Sequence, residues 1–537
     1  MPEKFESAHP VSHPFEGLIR RRAVLQAGAA SVVALLTQGC ATQLGGAMVA
    51  RTDLPLLGFT AVPISAADKL VVPPEYSASI IYKWGDPTGV VGAMPAFKPD
   101  ASNTAAEQAL QAGMHHDGMH FFPLGVNGRR GLLVLNHEYT DEKLLHTDGV
   151  SVWTAQKVRK SQHAMGVSVI EITLTADGWQ QVLPSRYARR IHGYTPMRIS
   201  GPAKGDKLMQ TAQNPAGDAV FGTFANCAMG VTPWGTYLTC EENFHGYFGG
   251  AKDQGFKDDA AQDRYGTKPG GEWVDWFKFD ERFDMNSHPN EANRFGWVVE
   301  IDPMDPTSTP IKRTALGRKR QESATCTLTQ DGRVAVYMGD DTRFEYIYKF
   351  ISRDKVQPGG YAANATLLDH GTLYAARFDA NGKGQWLELT HGQGKLTAEH
   401  GFANQAEVLV KSRLAADAVG ATKMDRPEWI AVHPQTGEVY VTLTNNIQRG
   451  GKDRPVADAA NPRNANAYGH ITRWRETDAD GHKDAGALRF EWDHFVLAGD
   501  PTQPDAQVRY PREDDDIFGA PDGLHFDAGG LLWIQTD

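Results

Sequence analysis

Short runs of alternating apolar and polar residues, separated by Gly, Pro, Asn and Asp, recur along the chain. Residues 236–239, for example, follow the turn residue Gly235 and have strand-like composition. The 55 glycines and 30 prolines favour many short strands over long helices, and no sustained helical heptads occur. The pattern therefore predicts an all-β protein.

Five segments share one pattern: a polar or metal-binding type of residue, a short strand, a turn, and a second apolar strand with a polar end. They span residues 117–138, 227–242, 322–341, 428–446 and 522–537. Their first residues recur at intervals of 94 to 110 residues, which indicates an internal repeat of β-hairpins. We expect outer strands at residues 167–173, 296–302, 346–352 and 470–475.

The open ends of these hairpins would converge on one axis if the hairpins were arranged radially, as in a β-propeller. The first residue of one strand lies beside the last residue of its antiparallel partner. We therefore expect four pairs at the open ends: Cys227 with Glu241, Glu322 with Asp340, Glu428 with Asn445, and Asp522 with Asp537.

Such a ring of carboxylates and one thiol would repel itself unless it bound cations. Carboxylates suit Ca²⁺, whereas a thiolate among them indicates a transition metal, iron or zinc first. Two alternatives stay open. Acidic residues after strands are often solvated loop positions, and Cys227 would then be a small buried hydrophobe.

The composition agrees with an acidic, cation-binding protein. The 537 residues require several packed units or one large repeat fold. The net charge of -11 argues against a nucleic-acid-binding surface and is compatible with bound cations.

The N-terminal residues indicate export. Residues 20–22 are arginines and precede a short apolar run, and RRAVLQ at 21–26 resembles a twin-arginine signal. A Sec-type signal is the alternative. We expect an export signal and its flanking segment at 1–50, the twin-arginine machinery as a partner, and a periplasmic or secreted location. Lipidation of Cys40 is a weaker alternative, because Thr37 stands where a lipoprotein box has leucine.

Seven stretches from about residue 112 to the end resemble the PhoX family of alkaline phosphatases, in the family's order. They are NCAMGVTPWGTYLTCEEN, LGRKRQE, VAVYMGDD, DRPEW, LTNN, NPRNANAYGHI and PDGLHFDAGGLLWIQTD. The resemblance implies a six-bladed β-propeller with insertions, which would occupy residues 51–537 as a single domain with a metal site at its central axis. It implies hydrolysis of phosphomonoesters with a pair of Fe³⁺ ions and several Ca²⁺ ions, and we expect a monomer.

The resemblance also assigns residues to the site. Cys227 is expected to be the iron-bound thiolate and Arg426 the phosphate clamp, with an ion pair to Glu428 or Asp425 as the alternative role of Arg426. The expected carboxylates of the iron–calcium cluster are Glu241, Glu242, Glu322, Glu428 and Asp522. Further candidates, as metal ligands or as groups behind them, are Asp340, Asp341, Asn445, His137 and Glu138.

Two rival functions share the propeller. PDGLHFDAGGLLW also resembles calcium-dependent lactonases and gluconolactonases, whose sites have no thiolate ligand. A calcium-stabilised propeller that only binds a partner is the other rival. The PhoX family continues beyond the WIQTD strand, so we expect the last blade to be incomplete in this chain and to expose a strand edge.

Overall fold

Antiparallel strands are the main regular element, as the sequence predicts. The structure is a computed structural model that describes residues 59–63, 65, 67–251, 259–267, 271, 273–502, 508 and 517–537. The predicted export signal and Cys40 lie outside the described residues. The strands are β1 His116–Pro123, β2 Arg130–His137, β3 Gly166–Thr175, β4 Gly178–Gln181, β5 Arg189–Ile191, β6 Pro196–Ser200, β7 Ala219–Phe221, β8 Asn226–Val231, β9 Tyr237–Glu241, β10 Val298–Ile301, β11 Ile311–Arg313, β12 Gln321–Leu328, β13 Arg333–Asp340, β14 Ile347–Lys355, β15 Gly371–Phe378, β16 Lys383–Glu388, β17 Pro427–Val432, β18 Val439–Leu443, β19 His470–Glu476, β20 Arg489–Leu497, β21 Pro521–Phe526 and β22 Leu532–Thr536.

The helices are short and lie in the connections. The α-helices are α1 Ala105–Gln108, α2 Glu142–Leu145, α3 Ala155–Ala164, α4 Ala260–Tyr265, α5 Gly360–Asn364, α6 Gln405–Val410 and α7 Ser412–Val419. Single 3₁₀ turns occupy Lys207–Met209, Phe244–Tyr247, Trp276–Lys278, Glu281–Phe283, Glu291–Arg294, Thr314–Leu316, Leu367–Asp369 and Ala398–His400. In the described part of the chain, no helix has the length and apolar character needed to cross a membrane.

The strands of the described residues form four sheets. The first has the order β1-β2-β3-β4, with β5 also paired to β3, and the second has the order β7-β6-β11-β10-β9-β8. The third has the order β12-β13-β14-β15-β16-β20-β19-β18-β17, and β21 pairs with β22 alone. The third and fourth repeats therefore share one sheet, because β16 of one pairs with β20 of the other.

Each of the five repeated segments is an antiparallel hairpin. The hairpins, numbered one to five below, are β1–β2, β8–β9, β12–β13, β17–β18 and β21–β22. The predicted outer strands are also present, since β3, β10, β14 and β19 pair with the second strands of the first four hairpins.

The first strands of the hairpins contact one another in chain order: β1 with β8, β8 with β12, β12 with β17, and β17 with β21. Glycines permit this approach. A Cβ atom on Gly118 would lie 2.8 Å from the carbonyl oxygen of Cys227, and one on Gly230 would lie 1.9 Å from that of Ala324. Any side chain at these positions would push neighbouring first strands apart.

Apolar clusters fill the space behind the hairpins. One surrounds Trp276 and Trp297, a second includes Tyr346 and Tyr348, and a third is built around Trp474. The third cluster encloses a charged group. Glu476 Oε2 accepts hydrogen bonds from Lys349 Nζ (2.6 Å) and Tyr337 Oη (2.9 Å). Its Oε1 accepts from the indole nitrogens of two tryptophans, Trp386 (2.8 Å) and Trp474 (2.9 Å).

This enclosed charge gives a stability prediction. We expect Lys349→Met to lower the free energy of unfolding by about 3–5 kcal/mol, because Glu476 would keep its burial and lose its only cationic partner within the network. Arg353→Met on the same strand is the matched control. The side chains of the Arg353–Asp354 pair are 64% and 58% exposed, so its loss should leave the free energy of unfolding nearly unchanged. Chemical denaturation measures both, and equal destabilisation would contradict the assignment.

Candidate metal centre

A β-bulge interrupts every hairpin near its open end. Between consecutive cross-strand pairs, the first strand advances three residues while the second advances two, so one extra residue is inserted. The bulges lie between His116 and Met119, Asn226 and Met229, Glu322 and Thr325, Pro427 and Ile430, and Pro521 and Leu524. An extra residue bends the strand and re-aims the side chains beside it.

The bulges correct the predicted pairing. Asn226 faces Glu241, Gln321 faces Asp340, Pro427 faces Leu443, and Pro521 faces Thr536. None of the four predicted pairs at the open ends therefore forms a cross-strand pair. The residues that we expected to face a partner, such as Cys227 and Asp522, instead stand in or beside the bulge, where their side chains are free of the ladder.

The backbone before the bulges adopts a left-handed conformation in four of the five hairpins. His115, Ala225, Arg426 and Ala520 have φ values of 46°, 53°, 54° and 47°. In the third hairpin the left-handed residue is Ser323, with φ 72°. Each costs about 1–3 kcal/mol for a residue other than glycine, and such strain concentrates at functional sites.

Seven side chains meet at these open ends in three adjoining groups. Within each group one potential ligand atom per residue lies within 4.8 Å of the others. The groups are Asp117, Glu138 and Cys227; Cys227, Glu242 and Glu322; and Glu322, Glu428 and Asp522. Cys227 and Glu322 each belong to two groups, so the three groups form one continuous cluster.

The cluster fits bound cations. Both carboxylate oxygens of Glu322, Glu242 Oε1 and Asp522 Oδ1 are buried without a hydrogen-bond partner in the described chain. Buried acceptors are normally satisfied, so several such oxygens aimed at one space indicate a group that supplies positive charge. Carboxylate oxygens suit a hard ion, and the thiol suits a transition metal.

Arg426 is the cation beside this cluster. Its Nε and Nη2 donate to the two carboxylate oxygens of Asp341, at 2.9 and 2.8 Å, and Nη2 also lies 2.8 Å from Glu428 Oε1. Nη1 makes only a 3.7 Å ion pair with Asp537. The expected alternative partner Asp425 binds Arg449 instead.

Comparison with known proteins agrees with this geometry. The family model for alkaline phosphatase PhoX matches residues 57–537. This chain belongs to the PhoX family. It is similar to a solved structure, Pseudomonas fluorescens PhoX in complex with vanadate, a transition-state analogue, with 50% identity and a TM-score of 0.85. The alignment covers 89% of this chain and 83% of that one. No curated protein matches. The family predicted from the sequence motifs is therefore confirmed.

Burial is the largest influence on the pKa values of this cluster, and repulsion between its acidic groups adds to it. Burial raises the pKa values of Glu138, Glu242, Glu322 and Glu428 well above the usual value, and the neighbouring carboxylates raise them further. Burial and nearby acids likewise raise the pKa of Asp522 to about 7.

The thiol of Cys227 follows the same pattern. Burial, followed by the charges of Asp117 and Glu322, raises its pKa well above the usual value. Cys227 Sγ lies 2.9 Å from Asp117 Oδ2 and donates to it. A thiol so placed becomes a thiolate only when a cation compensates the surrounding negative charge.

Glu241 is a correction to the predicted ligand set. Its side chain is fully buried, and Oε1 accepts from Lys312 Nζ at 2.6 Å. Its Oε2 accepts from the backbone N–H groups of Gly296 (3.0 Å) and Trp297 (3.1 Å). Successive residues at a strand end point in opposite directions, so Glu242 faces the cluster while Glu241 is satisfied behind it.

The further candidates also divide into residues that belong to the cluster and residues that lie outside it. Glu138 belongs to a ligand group. Asp340 lies outside the three groups, because both of its carboxylate oxygens accept from Arg413. Asp341 holds Arg426, and Asn445 is half-buried at the end of its hairpin.

His137 lies behind the cluster and outside its ligand groups. Its Nε2 is 2.6 Å from Ser168 Oγ. Burial, with repulsion from Arg190 and His116, lowers its pKa well below the usual value, so the ring is neutral. His137 is the last residue of β2, so its contact with Ser168 holds the end of the strand directly before Glu138.

The set of site residues inferred from the sequence left out Asp117. It is the first residue of the first repeat and lies in the bulge of hairpin one, as Cys227 lies in that of hairpin two. The repeat itself carried this signal, because Asp117 has the same position as four residues that were assigned to the site. Cys227, Cys240 and Cys326 are free thiols, of which only Cys227 is in the cluster.

The raised pKa values predict how the metal-free protein responds to pH. A carboxyl whose pKa is higher in the folded than in the unfolded chain destabilises the fold once it ionises. Stability should therefore be greatest below the unfolded value of about 4 and should fall as the pH rises through the folded value, about 7 for Asp522.

We expect the metal-stripped protein to have a higher unfolding midpoint at pH 5 than at pH 8, and added Ca²⁺ to reverse the order by neutralising the cluster. Thermal unfolding with and without a chelator measures this. Equal midpoints at both pH values in chelator would contradict the charge assignment.

Proposed function

We propose that the chain hydrolyses phosphomonoesters at the seven-residue cluster, with iron and calcium ions held by its thiol and carboxylates. Membership in the PhoX alkaline phosphatase family and the likeness to a PhoX bound to vanadate support phosphomonoester hydrolysis. The observation that carries the site assignment is the set of buried, unpartnered carboxylate oxygens at the open ends of the hairpins.

The donor sets support two kinds of ion. Cys227 belongs to both groups that contain a sulfur atom, with Asp117 and Glu138 on one side and Glu242 and Glu322 on the other. These residues would hold a pair of iron ions. Glu322, Glu428 and Asp522 provide only oxygen, which suits calcium. The rival lactonase function involves no thiolate ligand, so a thiol within the cluster favours the phosphatase.

Bound cations would neutralise the charge on the phosphoryl oxygens and provide a nucleophile at moderate pH. The chain's own side chains would bind and orient the phosphate group. Arg426 is the proposed phosphate clamp, held in orientation by Asp341 and Glu428. Its Nη1 is the nitrogen with the greatest free donor capacity toward a phosphate oxygen.

The architecture and location proposed for the chain rest on the repeat and the N-terminus. The order in which the first strands contact one another supports a radial arrangement of blades in one domain over residues 51–537. A six-bladed propeller is the arrangement that the family resemblance favours. The RRAVLQ stretch supports twin-arginine export to the periplasm or beyond, and we propose a monomer.

The thiol assignment is tested by Cys227→Ser. We expect the variant to lose iron and phosphomonoesterase activity, measured with 4-nitrophenyl phosphate, and to keep its fold, because a hydroxyl is a poor ligand for a soft metal. Cys326→Ser is the control, since Cys326 packs against an apolar cluster. Circular dichroism and elemental analysis accompany the kinetics. Iron retained in Cys227→Ser, or lost equally from both variants, would contradict the assignment.

Arg426→Lys tests the clamp. Lysine keeps the charge but cannot bind Asp341 through two nitrogens and still offer a third to phosphate. We expect kcat/KM to fall about 10- to 100-fold and inhibition by inorganic phosphate to weaken, with unchanged metal content. Unaltered kinetics would reassign Arg426 to a structural ion pair.

A further inference from the structure

A second arginine has the same position in the repeat as Arg426. Arg320 precedes Glu322 by two residues, as Arg426 precedes Glu428, in the neighbouring hairpin. The two hairpins are in contact through β12 and β17. The backbone differs at one point, since Arg426 is left-handed and the left-handed residue of the third hairpin is Ser323.

Asp341 joins the two arginines. Its backbone N–H donates to the carbonyl oxygen of Arg320 at 3.1 Å, and its carboxylate accepts from Arg426. The backbone N–H of Arg320 is also fixed, because it donates to Asp340 Oδ1 at 3.2 Å. Asp341 therefore contacts both arginines, through its backbone at Arg320 and through its carboxylate at Arg426.

The end of the Arg320 side chain lies beside the backbone at the end of α4. A Cβ atom on Gly266, which ends α4, would lie 2.9 Å from Arg320 Nη2, so the guanidinium rests against bare backbone. Its charge acts on the cluster: attraction to Arg320 is the largest of the influences that lower the pKa of Glu242, ahead of attraction to Arg426, although burial and other acids outweigh both.

Arg320 differs from its neighbours in having no carboxylate partner. Arg413 binds Asp340, Arg426 binds Asp341 and Glu428, and Arg449 binds Asp425. Among the residues that the structure describes, no ion pair involves Arg320, and its Nε is buried without a hydrogen-bond partner. Arg320 is half-buried. A guanidinium has five N–H donors, and those that are buried are normally hydrogen-bonded.

We propose that Arg320 is a second phosphate-binding residue, whose guanidinium donates to oxygens of the bound phosphoryl group or phosphate product. This inference rests on the proposed function. Its chemical basis is that a phosphate dianion accepts several charge-assisted hydrogen bonds, while Arg426 has already committed Nε and Nη2 to carboxylates. Arg320 therefore retains more free donor capacity than Arg426.

The rival role is positioning. Arg320 could instead hold Glu242 toward the metal by charge alone, without touching phosphate. The two roles differ in what they change: a phosphate ligand alters phosphate affinity at constant metal content, whereas a positioning residue alters metal content first.

The experiment is calorimetric titration of the full-length, metal-loaded protein with inorganic phosphate, with elemental analysis of the same samples. We expect Arg320→Met to weaken the phosphate Kd about 10- to 100-fold and Arg320→Lys to weaken it less, both with unchanged iron and calcium. The matched control is Arg413→Lys, a neighbouring buried arginine that is fully paired with Asp340. It should lower the unfolding midpoint and leave the phosphate Kd unchanged.

An unchanged phosphate Kd in Arg320→Met would overturn the proposal. Loss of metal from that variant, with normal phosphate affinity after metal is restored, would also overturn it and assign the positioning role. Measurements on the unsubstituted protein distinguish failure of the proposed function from failure of the Arg320 proposal. If it binds phosphate but does not hydrolyse 4-nitrophenyl phosphate, the proposed function fails while the Arg320 result stands.

Discussion

Repulsion among buried acidic groups is the constraint on which the rest of the structure depends. Six carboxylates and one thiol of the described residues share a single space, and burial together with their mutual charge raises the pKa values of most of them. No apolar core gains from such an arrangement. The fold must therefore keep these acidic groups close together against their repulsion until cations bind. The rigidity of the surrounding structure determines how well the site is organised before the cations bind.

The hairpins keep the acidic groups together through a β-bulge that is repeated five times. Each first strand carries one extra residue near its open end, and one residue of the cluster lies in or directly beside each bulge. A bulge re-aims the side chains next to it. Close approach at Gly118 and Gly230 keeps neighbouring first strands together. Behind the bulges, charged groups such as Glu241 and Glu476 are paired with Lys312 and Lys349.

The sequence predicted the elements of the fold better than it predicted their register. Alternation and turn residues were sufficient to locate the five hairpins and their outer strands, because these signals are local. The bulges were not predictable in this way, since one inserted residue leaves the composition of a strand unchanged. The predicted pair of Cys227 and Glu241 failed for that reason, and Asn226 faces Glu241 instead.

Residue roles within the site were partly predictable. Position in the repeat pointed to Cys227, Glu322, Glu428 and Asp522, which the structure brings together. It was harder to predict which of two adjacent acidic residues points toward the site. Whether Glu241 or Glu242 faces the cluster depends on Lys312, and whether Asp340 or Asp341 reaches Arg426 depends on Arg413. Both cations are distant in sequence from the acids they bind, so only the tertiary structure could decide.

We infer that the five bulges together build one shared metal centre. Anomalous diffraction from crystals of the metal-loaded protein, collected on both sides of the iron absorption edge, tests it most directly. The account predicts iron peaks bonded to Cys227 Sγ between the Asp117–Glu138 and Glu242–Glu322 groups, and a calcium ion among Glu322, Glu428 and Asp522. Metal ions bound elsewhere, with Cys227 Sγ free of any ion, would contradict it.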